Sequence, residues 1–401
     1  MPGFELFDQK EIDAITDVIK RKMVHRYSFV RTRDEIYRCE EFENAVAQKM
    51  GAKYCLAVNN GSAALYVAIK NSGLEPGDEV ITTPFTFIAS IEAILQCGLV
   101  PVLAEIDESL NLNPESVYDY ITDRTRAIMP VHMFGGCADM DAFQEICSDH
   151  GISLFEDACQ AIGAKYHGKY SGTIGKWGAY SLDPYKVITV GEGGLILTND
   201  ESLYHKMEYY HDHGHIHSKI IERGAEAKAC LGFNFRMSEI EGAIGLVQLS
   251  KIDIALERMK NNRNRVLNEV GTIEGLKLRK CADADGEIAM NIIYLLPDAG
   301  MARKFQNAVK ELGVACGNFS DNSWHYARHW EVLRDYSAKI RALSGCDSCN
   351  SFPLYRPNEW PVTHSILERT AVFGIDIDMS DENIDLMIKA IKHGAKLVGL
   401  L

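Results

Sequence analysis

Between residues 54 and 198 the chain repeats one pattern: a short β-rich run, then a helical stretch of apolar periodicity. Tyr54–Val58 leads into an apolar helix from Gly61 to Lys70, and Glu79–Thr83 leads into Ile88–Gln96. Val100–Ala104, Thr125–Met129 and Ile152–Phe155 follow with helices between them, and Leu195–Thr198 closes the series. Strands that alternate with helices pair in parallel, because each crossover helix returns the chain to the same end of the sheet. The pattern predicts an α/β fold with a mostly parallel sheet covered on both faces. Ligands of such sheets gather at the carboxyl ends of the strands. Ser62, Phe87, Asp157 and Lys186 all fall there.

The flanks read differently. Residues 8–23 are predicted as a helix capped by Asp8, with Ile12, Ile15, Val18 and Ile19 on one face. Met237 to Glu257 has the periodicity of a long amphipathic helix. The strongly polar run Arg258–Arg265 then marks a change of character. These features predict an N-terminal arm and helix over 1–30, a large domain over 31–257 and a smaller α+β domain over 258–401. Ile292–Leu296 is a strand of that last domain, and a helix begins at Asp381.

The chain has 401 residues and a formal charge of −14. Its length suffices for a large buried sheet, and no apolar run approaches the length of a membrane span. The acidic balance argues against non-specific nucleic-acid binding, which relies on lysine and arginine at the phosphates. The N-terminus shows no basic region followed by an apolar core, so a cytoplasmic protein is expected. Eleven cysteines, several set among apolar neighbours, fit a reducing compartment better than a disulfide framework. Cys346-Asp-Ser-Cys349 has metal-ligand spacing but lacks a second pair to complete a zinc site. The histidine run His211, His213, His215 and His217 reads as a loop lining a pocket rather than a metal tract. No metal is expected.

The chemistry concentrates on Lys186 and Asp157. A lysine amine held against an aldehyde forms an imine, and a carboxylate from another strand end keeps a pyridine nitrogen protonated. That pair is the protein-side signature of a pyridoxal phosphate enzyme. Ser181 offers a hydroxyl for the cofactor phosphate, and the Gly-Glu-Gly-Gly turn ending at Gly194 lets the backbone pass close by.

The ordered motifs resemble the sugar aminotransferase family of the DegT/StrS type. They are Asn60–Leu65, Glu75–Ile81, Pro84–Phe87, Met129–Gly135, Glu156–Gln160, the Lys186 segment and Gly232–Met237. The resemblance implies the fold-type I architecture of aspartate aminotransferase, with a seven-stranded sheet. It also implies a pyridoxal 5'-phosphate cofactor that cycles through pyridoxamine phosphate. On this resemblance Lys186 carries the cofactor as an imine and shuttles the proton, Asp157 pairs with the pyridine nitrogen, and Gln160 contacts the ring hydroxyl. Phe87 stacks on the ring. Ser62 and Ala63 give amides to the phosphate at a helix N-terminus, and Ser181 adds its hydroxyl. Asn234 reaches the site of a second subunit, which implies a homodimer with shared active sites. Some family members are dehydratases with histidine in place of the lysine, so Lys186 favours amino transfer.

Met1–Phe7, Arg26–Phe29 and Asn322–Tyr326 look most like the branch that aminates an oxidised Kdo-type acid sugar with L-glutamate. Arg26, Arg31 and Arg33 are candidate carboxylate binders. His213, Trp324, His325 and Tyr326 are candidates for the sugar pocket. A nucleotide-linked keto sugar, a cyclitol, a dehydration reaction and a non-catalytic sugar-sensing role stand as alternatives.

Overall fold

A computed structural model describes residues 3–27, 33–218, 220–221, 223–342, 355 and 358–401. Arg31, Cys346 and Cys349 lie outside the described residues.

The large sheet is built from β1 (Tyr54–Val58), β2 (Glu79–Thr82), β3 (Val100–Leu103), β4 (Thr125–Ile128), β5 (Ser153–Leu154), β6 (Glu156–Asp157), β7 (Gly178–Ser181) and β8 (Gly194–Thr198). Two four-stranded ladders, in the orders β3-β2-β4-β5 and β1-β8-β7-β6, meet where β5 and β6 run on from one another across Phe155. The Phe155 N–H donates to the Ile128 carbonyl at 2.9 Å, and Val131 bridges Asp157 in parallel. The joined sheet therefore has seven strand positions, as the resemblance implies. All its pairs are parallel except those of β8, which lies antiparallel between β7 and β1.

Helices α1 (Gln9–Arg21), α2 (Arg38–Met50), α3 (Gly61–Asn71), α4 (Ala89–Gln96), α5 (Met140–His150) and α6 (Glu201–Tyr210) flank the sheet. α1 starts at Asp8, as expected, with a full capping box to Glu11. α3 presents Ala64, Leu65, Val67 and Ala68 to a core shared with Leu56, Phe155, Trp177 and Ile196. That continuous apolar surface is what a sheet buried on both faces demands.

The predicted helix after Met237 begins at Glu239, with Ser238 and Glu241 as capping box, and runs to Val270 as α7. It extends well past the expected end at Glu257. Met259, Val266 and Val270 stay buried at helical spacing, so the polar run Arg258–Arg265 is the solvated face of a continuing helix and no break occurs there. Near its start, a Cβ on Gly242 would stand 2.7 Å from the Cys39 nitrogen and one on Gly245 2.6 Å from the Phe42 ring, so the missing side chains let α2 pack closely.

Beyond α7 a three-stranded antiparallel sheet has the order β9 (Lys277–Leu278), β10 (Asn291–Leu295), β11 (Thr370–Gly374). α8 (Ala299–Glu311) and α9 (Asp381–Leu397) pack on one another there, with Phe305 buried beneath them. Among the described residues no helix is long and apolar enough to cross a membrane.

Candidate active site

The site forms where β6, β7 and the N-terminus of α3 converge. Asp157 ends β6 and is 2 % exposed. One carboxylate oxygen accepts from Ser90 Oγ at 2.6 Å and the other from the Cys159 N–H at 3.1 Å. Thr86 Oγ1 lies 2.6 Å from Ser90 Oγ and backs that donor. Both oxygens are thus oriented by neutral groups, and the carboxylate keeps acceptor capacity for a cationic N–H. Ser90 and Thr86 were not among the sequence candidates, since hydroxyls at the start of an apolar helix carry no distinctive signal.

Lys186 follows β7. Its Nζ lies 3.2 Å from Asp183 Oδ2, which also accepts from Ser181 Oγ at 3.1 Å. A Cβ on Gly61 would stand 2.7 Å from Ser181 Cβ, so a glycine at the first turn of α3 is what lets the helix N-terminus reach Ser181. Asn60 caps that helix and its Oδ1 accepts from the Ala63 N–H at 2.7 Å. The Ala63 amide, expected at a phosphate, is therefore already engaged within its own turn. Ser62 is exposed at the same turn. Gly194 matters equally: a Cβ there would fall 2.2 Å from the Asn60 carbonyl oxygen.

Gln160 Oε1 accepts from the Phe134 N–H at 3.3 Å. Phe87 is 41 % exposed, and its ring lies 6.0 Å from His325 and 6.5 Å from Trp324. Trp324 also meets Tyr185 edge-on at 6.2 Å. Two of the three aromatic candidates thus stand beside the lysine, and Tyr185 joins them unanticipated. His325 is held neutral, its pKa pushed down to about 4 by burial and then by the Lys186 cation. Tyr326 is placed elsewhere: its ring is fully buried in a small core with Phe85, Phe319 and Leu367, stacked on His364. It lines no open cleft, because its backbone pairs with Phe85 and turns the side chain inward.

Two of the three arginine candidates are placed away from the site. Arg26 is 4 % exposed; its guanidinium donates to the Ala57 carbonyl at 2.5 Å and forms an ion pair with Glu43. Arg33 is also buried, faces Glu239 at 3.6 Å and donates to the His25 carbonyl. Both guanidinium groups are buried beside carboxylates of their own chain and are not open to a substrate carboxylate. The histidine run does not line one pocket either. His211 bonds Tyr27 at 2.9 Å, His217 stacks on Tyr27 at 3.7 Å, and His215 pairs with Glu226. His213 is exposed beside Phe233. Asn234 is exposed as well; its Oδ1 accepts from the Arg236 N–H at 3.2 Å and its backbone bridges Asp212.

These residues fit pyridoxal phosphate: a buried carboxylate dressed by neutral donors, a lysine amine, an exposed aromatic ring, and a hydroxyl beside a helix N-terminus. The seven-position sheet with this site at its strand ends defines a fold-type I pyridoxal phosphate enzyme. The chain belongs to the DegT/DnrJ/EryC1/StrS aminotransferase family, whose model matches residues 8–357. It is 32% identical over 401 residues to the spore coat polysaccharide biosynthesis protein SpsC of Bacillus subtilis, covering 98% of this chain and 96% of that one. It is 42% identical over 214 residues to GDP-perosamine synthase of Caulobacter vibrioides, a match over 53% of this chain and 56% of the relative, so the chain spans little more than half of that protein. The aminotransferase from Psychrobacter cryohalolentis superposes with a TM-score of 0.80 at 28% identity over 96% of both chains.

Proposed function

We propose that this protein is a pyridoxal phosphate-dependent aminotransferase that moves an amino group from L-glutamate to a carbonyl of a sugar. The observation that carries the reading is the convergence of Lys186, Asp157 and Ser181 with the α3 N-terminus. When bound, pyridoxal phosphate supplies an electron sink for charge developing on the substrate carbon. The chain's residues do the rest. Asp157, oriented by Ser90 and Cys159, holds a proton on the ring nitrogen. Lys186 Nζ takes a proton from the substrate carbon and returns it, with Asp183 at 3.2 Å as its counter-charge. Ser62 and Ser181 orient the phosphate, and Phe87 covers the ring.

The acceptor we favour is a Kdo-like acid sugar. One of the segments on which that resemblance rests lies against the lysine and another against Phe87. A Cβ on Gly3 would stand 2.7 Å from the Lys186 carbonyl oxygen, and Trp324 and His325 flank Phe87. A nucleotide-linked keto sugar is the second reading, supported by the similarity to GDP-perosamine synthase. A homodimer completes the proposal. Asn234 is exposed in a segment that also exposes Leu231 and Phe233, and Ile220 and Ile221 stand out nearby in sequence. A second copy of the chain would cover such an apolar patch.

The test is an absorbance titration of the cofactor-loaded protein with L-glutamate, followed by the two acceptor classes. Glutamate should convert the visible band, and the acid sugar carbonyl should restore it. Restoration by the nucleotide-linked sugar alone would replace the first acceptor with the second. A band that glutamate leaves unchanged while a sugar loses water would make the protein a dehydratase. No band at any cofactor concentration would leave only a sugar-sensing role.

A further inference from the structure

The loop Met133–Gly136 carries a constrained backbone beside the site. Phe134 has φ 49° and ψ 43°, and Gly135 follows at φ 77°. A bulky L-residue enters the left-handed region only when its surroundings enforce it. Here the enforcement comes from residues 279–288, in the region beyond α7. Arg279 leaves β9 with its N–H bonded to the Ile293 carbonyl at 2.9 Å. Its guanidinium reaches across to donate from Nη1 to the Met133 carbonyl at 2.9 Å and from Nη2 to the Phe134 carbonyl at 2.8 Å. Its Nε donates to Glu287 Oε1 at 2.8 Å, and Glu287 is held in turn by Arg263 of α7 at 2.8 Å. The Ile288 N–H adds a bond to the Gly135 carbonyl at 3.0 Å. A Cβ on Gly136 would stand 2.7 Å from Arg279 Nη2, and one on Gly135 2.7 Å from Ile288 Cβ, so both glycines are needed for the grip.

The gripped residue faces the site on two sides. Its N–H donates to Gln160 Oε1, which fixes the orientation of that amide. Its ring stacks on Phe319 at 4.6 Å and meets His325 edge-on at 5.3 Å. The Met133 carbonyl and the Phe134 N–H belong to one peptide plane, so the bond from Arg279 to the first holds the direction of the second, while the left-handed φ aims the ring at His325.

We propose that Arg279 is a positioning residue for the cofactor ring: by binding two consecutive carbonyls it holds Phe134 left-handed, and Phe134 in turn orients Gln160. The proposal rests on the reading of Gln160 as the contact to the ring hydroxyl. A lysine at 279 keeps a cation for Glu287 but cannot span two carbonyls with a planar fork. The test is a double-mutant cycle on the intact protein with Arg279→Lys and Gln160→Ala. It reads the dissociation constant of pyridoxal phosphate, the absorbance maximum of the bound cofactor, and the melting temperature.

Losing one oriented hydrogen bond should weaken cofactor retention about tenfold in Arg279→Lys and move the absorbance maximum. In the Gln160→Ala background the further loss should be under about twofold, since both changes remove one interaction. Single-mutant losses that multiply in the double variant would overturn the proposal and leave Arg279 a purely structural residue, as would an Arg279→Lys protein that binds cofactor with unchanged affinity and spectrum. If Arg279→Lys does not fold, Arg263→Gln, which loosens Glu287 from outside, is read in the same cycle against the same criteria. Wild-type protein that binds no pyridoxal phosphate overturns the aminotransferase reading as well, so the two failures are told apart by the wild-type control.

Discussion

Two charged regions of the large sheet differ in how their charges are balanced. In the first, Arg26 pairs with Glu43, and Asp212 is wholly buried between Arg223, Arg236 and His217. Against the opposing effect of burial, Arg223 and then Arg236 hold the Asp212 carboxyl down at about 2. Among the described residues, both oxygens of Asp212 already have cationic partners. In the second, the Asp157 side chain accepts from Ser90 and the Cys159 N–H, both neutral, while Lys186 and Ser181 share the carboxylate of Asp183. Around it Phe87, Tyr185 and Trp324 stay 41, 48 and 59 % exposed. A closed set of partners marks a structural cluster, and an incomplete set with exposed aromatics marks a binding site. Residue type alone does not separate them, since both regions hold cations beside carboxylates.

The sharpest way to break this comparison is Lys186→Ala. Amino transfer should fall on the order of 10⁴-fold or more in kcat, because both covalent attachment and proton transfer are lost. Unfolding free energy should change by no more than about 1 kcal/mol, because the one ion pair lost is to Asp183, which is itself partly exposed. Steady-state kinetics and urea denaturation read the two sides.

Arg26→Ala should do the opposite. Stranding Glu43 in the interior costs about 3–5 kcal/mol, read by denaturation, while the folded fraction binds cofactor as before. Weakened cofactor binding at full stability would place Arg26 in the site after all.

Acid should act on the closed region next. Burial, outweighing the Asp212 carboxylate, pushes the His217 pKa from 6.5 down to about 4. Through that window the unfolded chain binds a proton that the folded chain refuses, so stability falls as pH drops from 6.5 to about 4. His217→Phe keeps the stack on Tyr27 and removes the proton. It should reduce the acid loss by on the order of 3 kcal/mol, measured as the pH dependence of unfolding.

The smallest effect is expected at Asn60. Asn60→Ala removes the cap from α3 and should cost about 1 kcal/mol. Cofactor affinity should hold or rise, since the Ala63 N–H becomes free for the phosphate.

Much of this was legible in the residues. The strands at 54–58, 79–82 and 125–128 are short aliphatic runs bounded by turn residues, and a sheet buried on both faces permits nothing else. Lys186, Asp157 and Ser181 were singled out by their order, and the structure joins Lys186 and Ser181 through Asp183. The end of α7 was misread because a polar face was taken for a break, while Met259 and Val266 continue the apolar stripe. The role of Arg26 was hidden because its partners, Glu43 and the Ala57 carbonyl, become neighbours only once α2 packs on β1. The grip of Arg279 on Phe134 was equally invisible: neither a positive φ nor a contact spanning more than a hundred residues leaves a local trace.

One feature of the connection between the two sheets has a mechanical meaning. α7 is an unbroken rod of 32 residues, about 48 Å long at 1.5 Å per residue. Its first turns are clasped by α2 through Gly242 and Gly245, and its far end feeds β9, β10 and β11. No proline interrupts it, so it transmits torque instead of absorbing it at a kink. Beyond its far end Arg279 already grips Met133 and Phe134, and Trp324 and His325 already flank Phe87, so the rod braces the C-terminal sheet at a fixed reach from the large one.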